Sequence, residues 1–220
     1  MLAGTTFRLR SSLGPTLPRV NPRVLMALVL VSASVFAAVI VAAATSGSDD
    51  IPNAGERRFE GATLPRGVEA PRFELRDQDG DPVAMEDLRG QPVIVTFLYT
   101  HCEDSCPTQA QQVRSALDEL GEDVPALAIA VEPERDTEES ARAFLSEQRV
   151  LGRMSFVLGS REELKKVWRA FGVRPQRDDL EHSGRFVLVD PEGLQRVSFP
   201  IDQATPERLA HDLRLLADGA

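Results

Sequence analysis

Cysteine is almost missing from this chain. Of 220 residues only Cys102 and Cys106 carry a thiol, so the multi-disulfide framework that holds many small secreted domains together is excluded. Lysine is as scarce: Lys165 and Lys166 are the only two, and every other basic side chain is an arginine. Acidic residues are absent from positions 1–48, which hold Arg8, Arg10, Arg19 and Arg23. Taking those four from the 25 basic residues leaves 21 against 34 acids over the remainder, a balance of −13. A surface of that sign lacks the clustered Lys and Arg that neutralise phosphates, which excludes nucleic acid as a partner. The chain has no internal repeat.

A second absence marks an anchor. Val24 to Ala44 contains no charge, no proline and no glycine. At ~1.5 Å per residue this run spans roughly 30 Å, the hydrocarbon thickness of a bilayer. Arg19 and Arg23 precede it and Asp49 and Asp50 follow it. The positive-inside rule then predicts a single-pass protein of the cell membrane, with residues 1–23 cytoplasmic, 24–44 a transmembrane signal anchor, and the rest outside the cytoplasm. Two alternatives stand beside this reading. Ala42-Ala43-Ala44 would serve as the cleavage site of a removed signal, and residues 1–23, Arg- and Ser-containing and acid-free, would serve as a mitochondrial transit segment ahead of the span. No cysteine adjoins the run, so lipid attachment there is excluded. Each reading delivers the domain to a compartment where a dithiol can oxidise.

Residues 45–70 are rich in Ser, Gly, Pro, Asp and Glu, show no period, and read as a flexible linker. The folded domain is expected over 71–220. Phe73 and Leu75 alternate with polar residues, Asp77-Gln78-Asp79-Gly80 turns, and Pro82-Val83 resumes, a hairpin pattern. Pro92 to Tyr99 reads as a buried strand, Pro107 to Leu120 as a helix, and Val124 to Val131 as the next strand. Asp136 with Glu139 predicts a capping box for a helix through Gln148, and Ser160 with Glu163 repeats the pattern. Leu164, Val167, Trp168 and Phe171 form one helical stripe. Arg185 to Val189, a turn at Asp190-Pro191-Glu192-Gly193, and Leu194 to Phe199 predict a second hairpin. Thr205 and Pro206 then open a last helix carrying Leu209, Leu213 and Leu216. Strand, helix, strand, helix, strand, helix, hairpin, helix fits an α/β fold with a central sheet flanked by helices. A strand that runs into cysteines and then a helix is the thioredoxin-like arrangement.

The two thiols therefore sit at the end of a buried strand, in Tyr99-Thr100-His101-Cys102-Glu103-Asp104-Ser105-Cys106-Pro107. Unpaired amides at a helix start carry partial positive charge and favour a thiolate. The i, i+4 spacing puts both sulfurs on one side of a turn, able to form a disulfide or to grip one ion. A purely structural disulfide is a poor explanation, because so short a ring gains little loop entropy. The C-x-x-x-C spacing differs from the C-x-x-C of ordinary dithiol oxidoreductases. A third candidate ligand, His182, stands before the strand at Arg185, in a loop that lies beside the cysteine junction in a thioredoxin-like sheet. Two thiolates and one imidazole suit Cu(I), with Zn(II) second. His101 is a further candidate whose ring should point away from Cys102. His211, among polar neighbours on the last helix, reads as surface.

These segments together resemble the Sco/SenC family of copper-delivery proteins for cytochrome c oxidase, over about residues 70–217. Phe97 through Cys102 with Cys106-Pro107 is similar to the family's metal motif. Val131-Glu132-Pro133-Glu134-Arg135-Asp136-Thr137, Phe171-Gly172-Val173, His182-Ser183 and Val189-Asp190-Pro191-Glu192-Gly193 resemble its later blocks. The resemblance implies a thioredoxin-like fold, a membrane tether and one copper ion with Cys102, Cys106 and His182 as ligands. It implies cytochrome c oxidase subunit II, with its dinuclear copper site, as client and an upstream copper donor as source. Glu103 and Ser105 depart from the residues many members carry between the cysteines, and Glu103 adds negative charge that would raise a thiol pKa. Three functions follow: a metallochaperone, a thiol-disulfide oxidoreductase using Cys102 and Cys106 as a redox pair, and a module that docks to the oxidase through its acidic face.

Overall fold

All six residues of Val93–Leu98 are buried. That explains why the run is continuously apolar rather than alternating: a strand covered on both faces has no solvent side. In the computed structural model, which describes Arg23, Met26 and residues 58–122, 124–173 and 184–219, this is the fourth of eight strands. The chain divides into two units, Met1–Glu56 and Arg57–Ala220, and the second contains every element below. The expected span at 24–44 lies outside the described residues except for Met26. Among the described residues no helix is long and apolar enough to cross a membrane.

In chain order the elements are β1 (Ala62–Thr63), β2 (Glu74–Arg76), β3 (Pro82–Ala84), β4 (Val93–Leu98), α1 (Ser105–Leu120), β5 (Ala126–Ala130), α2 (Glu138–Glu147), β6 (Ser155–Val157), α3 (Arg161–Ala170), β7 (Arg185–Val189), β8 (Gln195–Pro200) and α4 (Pro206–Ala217). Short 3-10 turns occupy Met85–Leu88 and Ile201–Gln203. The main sheet runs β1-β8-β7-β4-β5-β6, with β2 and β3 a separate hairpin. β4, β5 and β6 are parallel neighbours, whereas β7 lies antiparallel on the other side of β4 and pairs antiparallel with β8. This mixed sheet with helices is the expected thioredoxin-like α/β fold. β4, which ends at the cysteines, lies between β5 and β7, so the start of β7 comes up beside the dithiol.

Packing follows the patterns the chain displays. The stripe Leu164, Val167, Trp168 and Phe171 is buried. The Trp168 indole nitrogen donates to the Ala130 carbonyl at 2.9 Å, which satisfies its one polar atom. Phe171 meets Phe97 edge-on at 5.6 Å. Leu209, Leu213 and Leu216 of α4 are buried in the same core. Ser160 and Glu163 form the predicted capping box, and Thr205 caps α4 with Pro206 in its first turn.

Three expectations need correction. The predicted linker, 45–70, extends too far: residues 58–70 belong to the domain where described. β1 pairs with β8, the Leu64 amide donates to the Arg196 carbonyl and the Ala70 amide to the Gly193 carbonyl. The buried carboxylate of Asp212 accepts the amides of Glu60 and Gly61 at 2.8 and 2.9 Å. A polar composition hid these bonds because they are made by backbone. Next, α1 starts at Ser105, two residues before Pro107; proline is accommodated inside the first turn, where its missing N–H costs no helical bond. Finally, α2 is capped by Thr137, which forms its capping box with Ser140, rather than by Asp136 with Glu139. Asp136 is used elsewhere.

Candidate metal centre

β4 delivers the chain into a tight turn: the Cys102 amide donates to the Tyr99 carbonyl at 3.3 Å. Asp104 precedes α1 in a non-helical conformation and its side chain makes no capping bond. The amide of Cys106, in the first turn, instead donates to the Cys102 sulfur at 3.2 Å. Cys102 thus takes the place that an oxygen holds at an ordinary helix start. The Ser105 hydroxyl lies 3.8 Å from the same sulfur. Both cysteines are buried free thiols, Cys106 completely and Cys102 with 8% exposure, which leaves the second sulfur the one an incoming group can reach.

Electrostatics separates the two. The Cys106 thiol hydrogen-bonds to the Cys102 sulfur. That bond, opposed by burial and helped by the Cys106 amide, the Tyr99 hydroxyl and the Asp104 amide, holds the Cys102 thiol down at about 4. Cys106 is pushed up, because its proton serves that thiolate and because it is buried. Tyr99 is likewise pushed up, by burial first and then by its bond to the Cys102 sulfur. The helix start does stabilise a thiolate as expected, but on Cys102, four residues ahead of the amide that holds it. The rise anticipated from Glu103 does not set the direction, since short-range donors to the sulfur dominate.

Asp136 fixes this turn in place. It is buried, and its carboxylate accepts the Thr100 amide at 2.8 Å, the Thr100 hydroxyl at 2.9 Å and the Glu132 amide at 3.1 Å. Burial pushes its pKa up, against the pull of those donors. Asp136 therefore ties the loop after β5 to the residue two positions before Cys102. Sequence reading assigned it to a cap and missed this role; the only signal available was a second cap candidate, Thr137, directly behind it.

The other expected residues distribute as follows. His101 is exposed, with its Nδ1 2.9 Å from the Thr100 hydroxyl. His101 and Cys102, with Thr100, Pro107, Arg135 and Phe144, line an open depression of about 480 Å³. His211 is half exposed on α4, its Nδ1 2.9 Å from Asp212. His182 lies outside the described residues, and among the described residues no group of three His, Cys, Asp or Glu side chains could hold a metal ion. Gly184, two positions after His182, directly precedes β7.

The SCO1/SenC family model matches residues 62–218. The chain is 31% identical to the mitochondrial SCO1 homolog 1 of Arabidopsis thaliana, over 60% of this chain and 42% of that protein. It is 29% identical to the mitochondrial SCO1 homolog of Homo sapiens, over 55% of this chain and 44% of that one. The chain thus spans less than half of either mitochondrial relative. Among solved structures, Bradyrhizobium japonicum ScoI with copper bound aligns with a TM-score of 0.58 and 32% identity, over 67% of this chain and 99% of that chain.

Proposed function

The chain belongs to the SCO1/SenC family, and from that premise we propose that it is a membrane-anchored copper carrier. Cys102, Cys106 and His182 hold one copper ion as cargo and pass it to the dinuclear copper site of cytochrome c oxidase subunit II. Residues 24–44 anchor it in the cell membrane with 1–23 in the cytoplasm, so that the domain works on the outer face and receives copper from an upstream donor there. The observation that carries this reading is the Cys106 amide on the Cys102 sulfur. It keeps one thiolate formed and partly accessible beside a second thiol, and Bradyrhizobium japonicum ScoI, to which the chain is similar, has copper bound.

Copper supplies a soft, low-coordinate centre for which thiolates are the preferred ligands. Cys102 binds it as the ready anion. Cys106 must give up its proton to join, so loading releases a proton. Three ligands leave a position open to attack by a ligand of the acceptor, which lets transfer proceed by exchange rather than by full release. Titration of the reduced full chain with Cu(I) tests the reading: one ion per chain is expected, lost in Cys102→Ser and Cys106→Ser and weakened in His182→Ala. Binding of less than one ion, or binding unaffected by His182→Ala, defeats it.

The asymmetry of the thiols supports a second reading, a thiol-disulfide oxidoreductase that keeps the oxidase cysteines reduced. The Cys102 thiolate would attack a client disulfide to give a mixed disulfide and one client thiolate. Cys106 would lose its proton and attack Cys102, releasing the second client thiolate and leaving a Cys102–Cys106 disulfide. This activity would survive His182→Ala, which separates it from copper carriage.

A further inference from the structure

The histidine before the first thiol has one ring nitrogen tied to a chain of donors that starts in the core. Asp136 is buried, and as a carboxylate it can only accept. The Thr100 amide and hydroxyl both donate to its Oδ1, at 2.8 and 2.9 Å. The hydroxyl has one proton to give. Its other oxygen neighbour, Ser140 Oγ at 3.2 Å, is uncharged and directs its own proton to the Thr137 carbonyl at 3.1 Å, so the carboxylate takes the Thr100 proton. His101 Nδ1 lies 2.9 Å from the same hydroxyl oxygen. With that proton already used, the Thr100 oxygen can only accept from the ring, and Nδ1 carries the ring proton. In a neutral imidazole the second nitrogen, Nε2, is then left with a lone pair. A carboxylate acting through a hydroxyl on the ring N–H is the outer support by which metal-binding histidines fix tautomer and ring orientation.

The residue so oriented is exposed. His101 lines the same open depression of about 480 Å³ as Cys102. Cys106 is completely buried, whereas Cys102 keeps 8% exposure. An ion arriving from solvent therefore meets His101 and Cys102 before it meets Cys106. Imidazole and thiolate both suit copper. Two such groups are too few to retain it, and among the described residues no three His, Cys, Asp or Glu side chains could hold a metal ion. A matched pair at the mouth, short of a full ligand set, makes a place of passage rather than of storage.

We propose that His101 is the entry ligand of the copper carrier, its Nε2 taking Cu(I) from the donor in the depression and passing it to the Cys102 sulfur. The inference rests on the copper-carrier reading and adds a residue outside the set that holds the loaded ion. Each step is a ligand exchange. A bond from copper to Nε2 forms as a bond to the donor breaks. A bond to the Cys102 sulfur then forms as the bond to Nε2 breaks. Copper stays Cu(I) throughout, and Nε2, already unprotonated, releases no proton. The same route serves departure.

The test is kinetic. The reduced full chain in detergent is mixed with Cu(I) held as its bicinchoninate complex, and the loss of colour is followed by stopped flow. His101→Gln keeps size and neutrality but removes the basic nitrogen. It is expected to slow uptake about tenfold, the low end of the spread of association rates among variants of one site. Removal of the loaded ion by excess bicinchoninate should slow by the same factor. The dissociation constant, set by the residues that hold the loaded ion, then keeps its value, a result that neither misfolding nor loss of a holding ligand would give. Uptake at the parent rate overturns the inference, and so does slow uptake with weakened equilibrium affinity, which would make the ring a holding ligand. Both outcomes leave the copper-carrier reading standing. A parent chain that takes up no Cu(I) defeats that reading and this inference with it.

Discussion

Among the described residues, the four helices of the domain begin in two different ways. α2, α3 and α4 start under side-chain oxygens, Thr137 on Ser140, Ser160 on Glu163 and Thr205 on Arg208. α1 has no such cap, and its first-turn amide at Cys106 is directed at the Cys102 sulfur. The same physics serves both: an amide that the helix leaves unpaired must find an acceptor. On three helices the acceptor is local and inert, and it stabilises the fold. On the fourth it is a thiol, and the interaction holds that thiol in its anionic form. The position of the acceptor is then maintained not by a cap but by Asp136, through Thr100.

The strongest way to break this contrast is to remove the brace. Asp136→Ala leaves the Thr100 and Glu132 amides and a hydroxyl without their acceptor in a buried place. It should cost about 3 kcal/mol, a fall in Tm of roughly 6–12 °C for a domain of this size, and weaken Cu(I) binding as well. Thermal melts together with chelator competition check it; a stability loss with unaltered copper affinity would show that the brace does not reach the site.

Smaller effects should separate the helix starts from one another. Thr137→Ala removes an ordinary cap and is expected to cost about 1 kcal/mol with no effect on copper, whereas Asp104→Ala at the start of α1, where no side-chain cap exists, should leave the melt unmoved. A matching loss at Asp104 would erase the distinction.

The subtlest prediction concerns pH. The folded pKa of Cys102, about 4, lies below the ordinary thiol value of about 8.5, so in the reduced protein the unfolded chain binds more protons between these limits. The stabilisation is complete above the unfolded value and is lost as pH falls through the folded one. Cys102→Ser should therefore lower Tm more at pH 8 than at pH 4.5. Iodoacetamide should label Cys102 at a rate that holds down to about pH 5 and halves near 4, and Cys106→Ala, which removes the principal donor, should move that midpoint upward. A midpoint near the ordinary thiol value in the parent chain would show that the sulfur is not held as a thiolate.

Much of the fold was legible because it rests on local patterns. The alternation at Phe73 and Leu75, the apolar run of β4, the Trp168 stripe and the Ser160–Glu163 box each follow from period and from short-range chemistry, and all appear where expected. The cap of α2 was misread because Asp136 and Thr137 both fit the local rule. What decides between them is a bond from Asp136 to Thr100, 36 residues away. The strand within the supposed linker escaped notice for a similar reason: β1 is two residues long and is held by backbone pairing with β8 and by Asp212, none of which leaves a periodic trace.

By itself the sequence determined the element order from β2 onward, the pairing of two thiols at a strand-to-helix junction and the set of residue types available to a soft ion, since these depend on neighbours a few positions apart. Only the tertiary structure decided which sulfur is the anion, that Asp136 braces the turn instead of capping a helix, and that Thr100 links Asp136 to His101. Hydrogen bonds between distant segments form where the folded backbone brings donors and acceptors within about 3 Å, a distance no spacing along the chain records.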